Sequence, residues 1–122
     1  MKINLTYVFL IFLATQMVSC AYNNEEELYP MEACDTTNVT YLATIVPIIT
    51  QHCYECHGGN AQISGIPLEG HQNIKAIVDA GRLVGAINHQ VGFSPMPKDR
   101  QKLASCDILK IEKWVANGAP DN

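Results

Sequence analysis

The chain has 122 residues, with 12 acidic side chains against 8 basic ones, a formal charge of −4 and 48% hydrophobic residues. That length holds one domain with a tail, near the small end for a self-sufficient core, where covalent staples help. The acidic balance and the lack of a basic tract argue against nucleic acid as a partner.

Lys2 precedes a short apolar run over residues 3–14, the make-up of a signal-peptide core and too short to span comfortably as a mature helix. The segment ends in Met17-Val18-Ser19-Cys20, which resembles the lipobox of bacterial lipoproteins, with Met17 where Leu is usual. The resemblance implies that residues 1–19 are removed and that Cys20 becomes the lipid-modified first residue. The protein would then be exported and lipid-anchored to a bacterial membrane, at the periplasm or cell surface. An ordinary cleaved signal and an uncleaved anchor are the alternatives. Losing residues 1–19 removes one lysine and no acid, so −4 becomes −5. Residues 20–33 carry Glu25, Glu26, Glu27 and Pro30 with no apolar period, as expected of an acidic tether.

Residues 34–122 are expected to form the folded domain. Residues 39–42 read as extended, and a helix is predicted from Thr44 as N-cap, with Pro47 tolerated in its first turn. Ile45, Ile48, Ile49 and His52 follow helical spacing and lead into Cys53-Tyr54-Glu55-Cys56-His57. This motif reads as a c-type haem attachment site. One helical turn puts the two thiols on one face, each able to bond a vinyl group of the planar ring. The adjacent His57 offers a neutral imidazole nitrogen to the iron. Gly58-Gly59-Asn60 is expected to end the turn and let backbone approach a flat ligand. A helix follows over residues 71–80, with Ile74, Ile77 and Val78 on one face and Gly81 at its end. Leu83, Val84 and Ile87 form a short apolar turn, and two prolines then frame Met96 in Gly92-Phe93-Ser94-Pro95-Met96-Pro97. The last predicted helix covers residues 105–117, N-capped by Ser105 and closed by Gly118, with Ile108, Leu109, Ile111, Trp114 and Val115 on its apolar side.

With that motif, the apolar helix before it and the ending Lys113-Trp114-Val115-Ala116-Asn117-Gly118-Ala119, residues 34–122 resemble a small bacterial monohaem cytochrome c of the class I kind. The resemblance implies an all-α fold wrapped around one covalently attached haem c, with the last helix crossing the first beside it. It also implies a proline carbonyl in the 61–69 loop that accepts the proximal imidazole proton, for which Pro67 is the nearest candidate. It places a methionine in a Pro-framed loop as the second axial ligand. Of the 4 methionines, only Met96 follows the motif, and a soft thioether there would raise the potential. His89 is the rival sixth ligand. His52 and His71 are expected to be exposed or to cap helices.

The chain has 5 cysteines. With Cys20 lipidated and Cys53 and Cys56 on haem, Cys34 and Cys106 remain, and an oxidising exported compartment makes them a disulfide candidate. Two free buried thiols are the alternative. Two other readings of Cys53 and Cys56 stand beside haem: a zinc site, which needs two more ligands, and a redox dithiol, which wants a βαβ context. A haem-free lipoprotein stapled by disulfides comes last.

The functional expectation is an electron carrier without substrate turnover, moving one electron at a time between redox protein partners outside the cytoplasm. A dehydrogenase or terminal oxidase is the kind of partner in view. The alternative is an electron-relay haem subunit of such an enzyme. Lys98, Arg100, Lys102, Lys110 and Lys113 could steer an acidic partner, although Asp99, Asp107 and Glu112 interleave with them as on an ordinary solvated face.

Overall fold

The first helical residues are organised by a proline. In the computed structural model, which describes residues 34–59 and 64–122, Tyr41–Ile45 form a π-helical turn that continues directly into helix α1, Val46–His52. A proline inside a helix clashes with the carbonyl four residues back, and a widened turn just before Pro47 relieves that clash. The helical path therefore begins at Tyr41, not near Thr44, and Thr40 just ahead of it is extended, with φ −118° and ψ 157°. Thr40 is the cap. Its Oγ1 accepts the Ala43 N–H at 3.3 Å, while Thr44 Oγ1 accepts the Thr40 N–H at 3.4 Å. Two orphan donors are satisfied reciprocally, a variant of the capping box.

Four helices follow: α2, Tyr54–His57; α3, His71–Asp79; α4, Arg82–Ile87; and α5, Ser105–Ala116. The described residues are helices and loops with no strand, and none of these helices is long and apolar enough to cross a membrane. Helix α5 starts one residue earlier in register than the predicted cap implies. Ala104 occupies the N-cap without a side-chain bond, and Ser105 is already helical. The signal segment, the lipidation expected at Cys20 and the acidic tether lie outside the described residues.

Helix α5 packs on both the π turn and α4. Trp114, Ile111, Ile45, Ile49 and Ile74 are the largest fully buried side chains at that junction. Leu109, expected on the apolar side of α5, is 45% exposed instead. Tyr41 stacks on Trp114 with ring centroids 5.8 Å apart, and His71 meets Tyr41 edge-on at 4.9 Å. His71 is no exposed helix start. Its Nε2–H donates to the Ala119 carbonyl at 2.9 Å, and Trp114 Nε1–H donates to that of Pro120 at 2.9 Å. Residue 122 then ties back to the first helical turn: the Asn122 side-chain oxygen accepts the Tyr41 N–H at 2.8 Å, and its backbone oxygen the Leu42 N–H at 2.9 Å. Asn88 Nδ2–H donates to Glu112 at 2.6 Å and ties α4 to α5.

Cys34 and Cys106 form a disulfide across 72 residues, which resolves the two open readings of that pair in favour of the bond. Closing a loop of that size restricts the unfolded chain by an amount on the order of 4 kcal/mol in the entropic account.

Candidate functional site

Helix α1 stops at Cys53, whose φ of −121° breaks the regular path, and a single helical turn carries the motif onward. The Cys53 carbonyl accepts the N–H groups of Cys56 at 3.1 Å and His57 at 2.9 Å. One acceptor thus gathers both thiol-bearing residues and the imidazole into one turn. Gly58 ends it because of Tyr54: a Cβ at position 58 would sit 2.7 Å from Tyr54 Cβ and 2.9 Å from its carbonyl oxygen. The absence of a side chain at position 58 is thus required by its own helix.

The two thiols differ. Cys56 is exposed, whereas Cys53 is half-buried and packed against the core. Burial disfavours the thiolate and pushes the Cys53 thiol up to about 11.

His57 is oriented from behind. Its Nδ1 lies 2.8 Å from the Ile66 carbonyl, and since a carbonyl only accepts, Nδ1 carries the proton in that bond. Nε2 is then the nitrogen whose lone pair remains available. The acceptor is Ile66 and not Pro67, the residue named from the sequence. The Leu68 N–H is spent on the His57 carbonyl at 2.8 Å, and that bond sets the strand-like pass of the loop beside the imidazole. Ser64 Oγ also lies 2.8 Å from Nδ1, a neighbour that no sequence spacing announces.

Met96 is fixed at both backbone groups. Its N–H donates to the Ala86 carbonyl at 3.0 Å, and its carbonyl accepts from His89 Nε2 at 3.0 Å. The loop rests on α4 through Phe93, which occupies the space where a Cβ on Gly85 would stand, 2.6 Å from the ring.

These parts converge on one cleft of about 630 Å³, lined by Cys53, Cys56, His57 and Met96 together, with apolar walls from Ile66, Leu68, Ile77, Leu83, Ile87 and Leu103. A volume of that order suits a sizeable organic group, and mostly apolar walls with a few convergent donors are what such sites use. Two thiols, an imidazole with one free nitrogen and a thioether form the donor set of a covalently attached metal macrocycle, and the residues present fit it. His52 also lines the cleft, with Nε2 3.7 Å from Asp107 at the start of α5. His89 and His71 are not among the lining residues.

The rim is cationic. Lys98 and Arg100 line the cleft, and so does Arg82, the first residue of α4, which the sequence reading passed over. Arg100 is engaged with Glu55 at 2.7 Å. Among the described residues, no three His, Cys, Asp or Glu side chains converge as ligands for a lone ion, and the disulfide removes Cys34 and Cys106 as zinc donors.

No protein-family model, curated protein or solved structure matches the chain.

Proposed function

We propose that the protein is a monohaem cytochrome c that carries single electrons between redox proteins outside the cytoplasm. One observation carries this reading: Cys53, Cys56, His57 and Met96, separated by up to 43 positions in sequence, line the same apolar cleft. In this reading Cys53 and Cys56 would hold the haem by thioethers, and His57 and Met96 would supply ligands to its iron. The bound haem supplies reversible one-electron chemistry at iron. The chain contributes the rest. The Ile66 carbonyl accepts the Nδ1–H of His57, which fixes the tautomer and the ring's orientation and leaves the Nε2 lone pair available. Met96 offers a soft sulfur that favours the reduced state. Ile77, Leu83 and Ile87 give the interior of the cleft apolar walls, which would keep water from a bound haem, while the open rim would leave an edge for electrons to pass to a partner. The Cys34–Cys106 disulfide accords with an oxidising compartment, and the lipobox-like Met17-Val18-Ser19-Cys20 with a lipid anchor on a bacterial membrane.

The test is an alkaline pyridine spectrum of the protein made in an exporting host that matures cytochromes c. A c-type haemochrome that survives acid-acetone extraction is expected. Colourless protein beside a correctly matured control would overturn the proposal.

A further inference from the structure

We propose that His89 is a positioning residue for Met96, holding the loop that presents the thioether through a hydrogen bond to the Met96 carbonyl. The inference rests on the reading of Met96 as an axial ligand. Residues 89–96 form a closed loop on the end of α4. The Gln90 N–H donates to the Gly85 carbonyl at 3.0 Å, and the Phe93 N–H to that of Gln90 at 3.1 Å. Met96 closes the loop with its N–H on Ala86 and its carbonyl on His89 Nε2, each at 3.0 Å. The peptide planes on both sides of the Met96 Cα are thereby anchored, and the direction in which the side chain leaves the backbone follows from them. Of those two anchors, only His89 is a side chain.

The bond also occupies one nitrogen of His89. The carbonyl accepts, so Nε2 carries the proton and a lone pair is left only on Nδ1. His89 lies outside the cleft that Met96 lines. The residue named as the rival ligand thus serves the ligand it was set against. The backbone at His89 is left-handed, with φ 54°, a region that Asn tolerates better than most residues. A thioether is a weak ligand, so its competition with outside ligands depends on how well the loop is held. Because the bond is solvent-exposed, its effect is a modest multiple and not an all-or-none loss.

The matured full chain separates the possibilities. In the ferric protein, the limiting rate at which cyanide displaces Met96 reports loop opening, and the near-infrared methionine-to-iron band reports the ligand itself. His89→Ala removes the bond. His89→Asn removes it while keeping a residue suited to left-handed backbone, so a folding defect confined to the alanine variant does not decide the matter. His89→Gln places an amide N–H where Nε2 stood. We expect the Ala and Asn variants to open about three- to tenfold faster, the range of one exposed neutral hydrogen bond, and the Gln variant to return towards wild type. Wild-type rates in the Ala and Asn variants, or a Gln variant as fast as Ala, would overturn the positioning role. Met96→Ala is measured alongside. An unchanged near-infrared band there overturns the ligand reading itself, whereas its loss there together with unaltered His89 variants overturns only the role of His89.

Discussion

Arg100 reaches back to Glu55, its Nη2 2.7 Å from the carboxylate, and so joins the loop after Met96 to one of the two residues between the motif cysteines. Both side chains are mostly in water, 59% and 65% exposed, and exposed pairs of this kind contribute about 0–1 kcal/mol. Arg100→Ala should therefore lower stability by less than about 1 kcal/mol, and salt should erase the difference. Urea unfolding of both proteins at low and high ionic strength checks this. A larger, salt-insensitive loss would mean that Arg100 acts through packing.

Gly85 predicts a conflict between helix propensity and packing. Alanine is the better helix former, by about 1 kcal/mol, yet its Cβ would stand 2.6 Å from the Phe93 ring. We expect Gly85→Ala to destabilise by about 1–3 kcal/mol, as overpacking does. Adding Phe93→Ala should relieve the clash and let the propensity gain emerge. A double-mutant cycle measured by denaturant unfolding decides, and additive effects would refute direct contact.

Trp114 fills the centre of the core and donates to Pro120. Trp114→Phe keeps most of the apolar contact and loses the bond, so the expected cost is about 1–3 kcal/mol from the unpaired carbonyl and the lost ring volume. Trp114→Ala should cost about 3–5 kcal/mol and leave little native protein. Thermal unfolding followed by circular dichroism ranks the two.

The cysteines give a stoichiometric prediction. With Cys34 and Cys106 bonded to each other and with Cys53 and Cys56 in thioethers under the proposed function, the denatured domain should show no titratable thiol before reduction and those of Cys34 and Cys106 after it. Thiols of Cys53 and Cys56 appearing without reduction would contradict covalent attachment. Replacing both Cys34 and Cys106 by Ser should cost about 2–5 kcal/mol.

Asp35 provides a pH test free of the site. The hydroxyl and N–H of Thr37 both donate to its carboxylate, at 2.6 and 2.8 Å, and hold it below the usual carboxylate range. A depressed folded value means that the stabilisation is present above the unfolded value and is lost as pH falls through the folded one. Thr37→Ala should move the Asp35 titration up towards that of an ordinary aspartate, which carboxyl-resolved NMR follows directly. An unchanged titration would show that the turn is not populated.

What was readable in the sequence was local. The helical turn at Tyr54–His57, the burial of Ile45, Ile48, Ile49, Ile74 and Trp114, and the short helix around Leu83 all follow from spacing within a few residues. The misread positions depend on neighbours that spacing does not reveal. Thr44 suggested the helix start, whereas a π turn from Tyr41 precedes it and leaves no signature in spacing; Pro47 does stand in the first turn of α1. Pro67 drew attention as a named residue type, whereas a carbonyl acceptor can belong to any residue, and here belongs to Ile66. Arg82 and the pairing of Glu55 with Arg100 required the tertiary fold.

The bonds from Tyr41 and Leu42 to Asn122 also bear on the order of events during folding. Two of the donors at the start of the first helical segment wait for a partner 81 and 80 residues later in the chain. That segment can wind by itself, yet its opening turn is not seated until residue 122 reaches it. Contacts of such long range are made late and slowly. The turn that begins the helical path is therefore among the last pieces of the domain to settle.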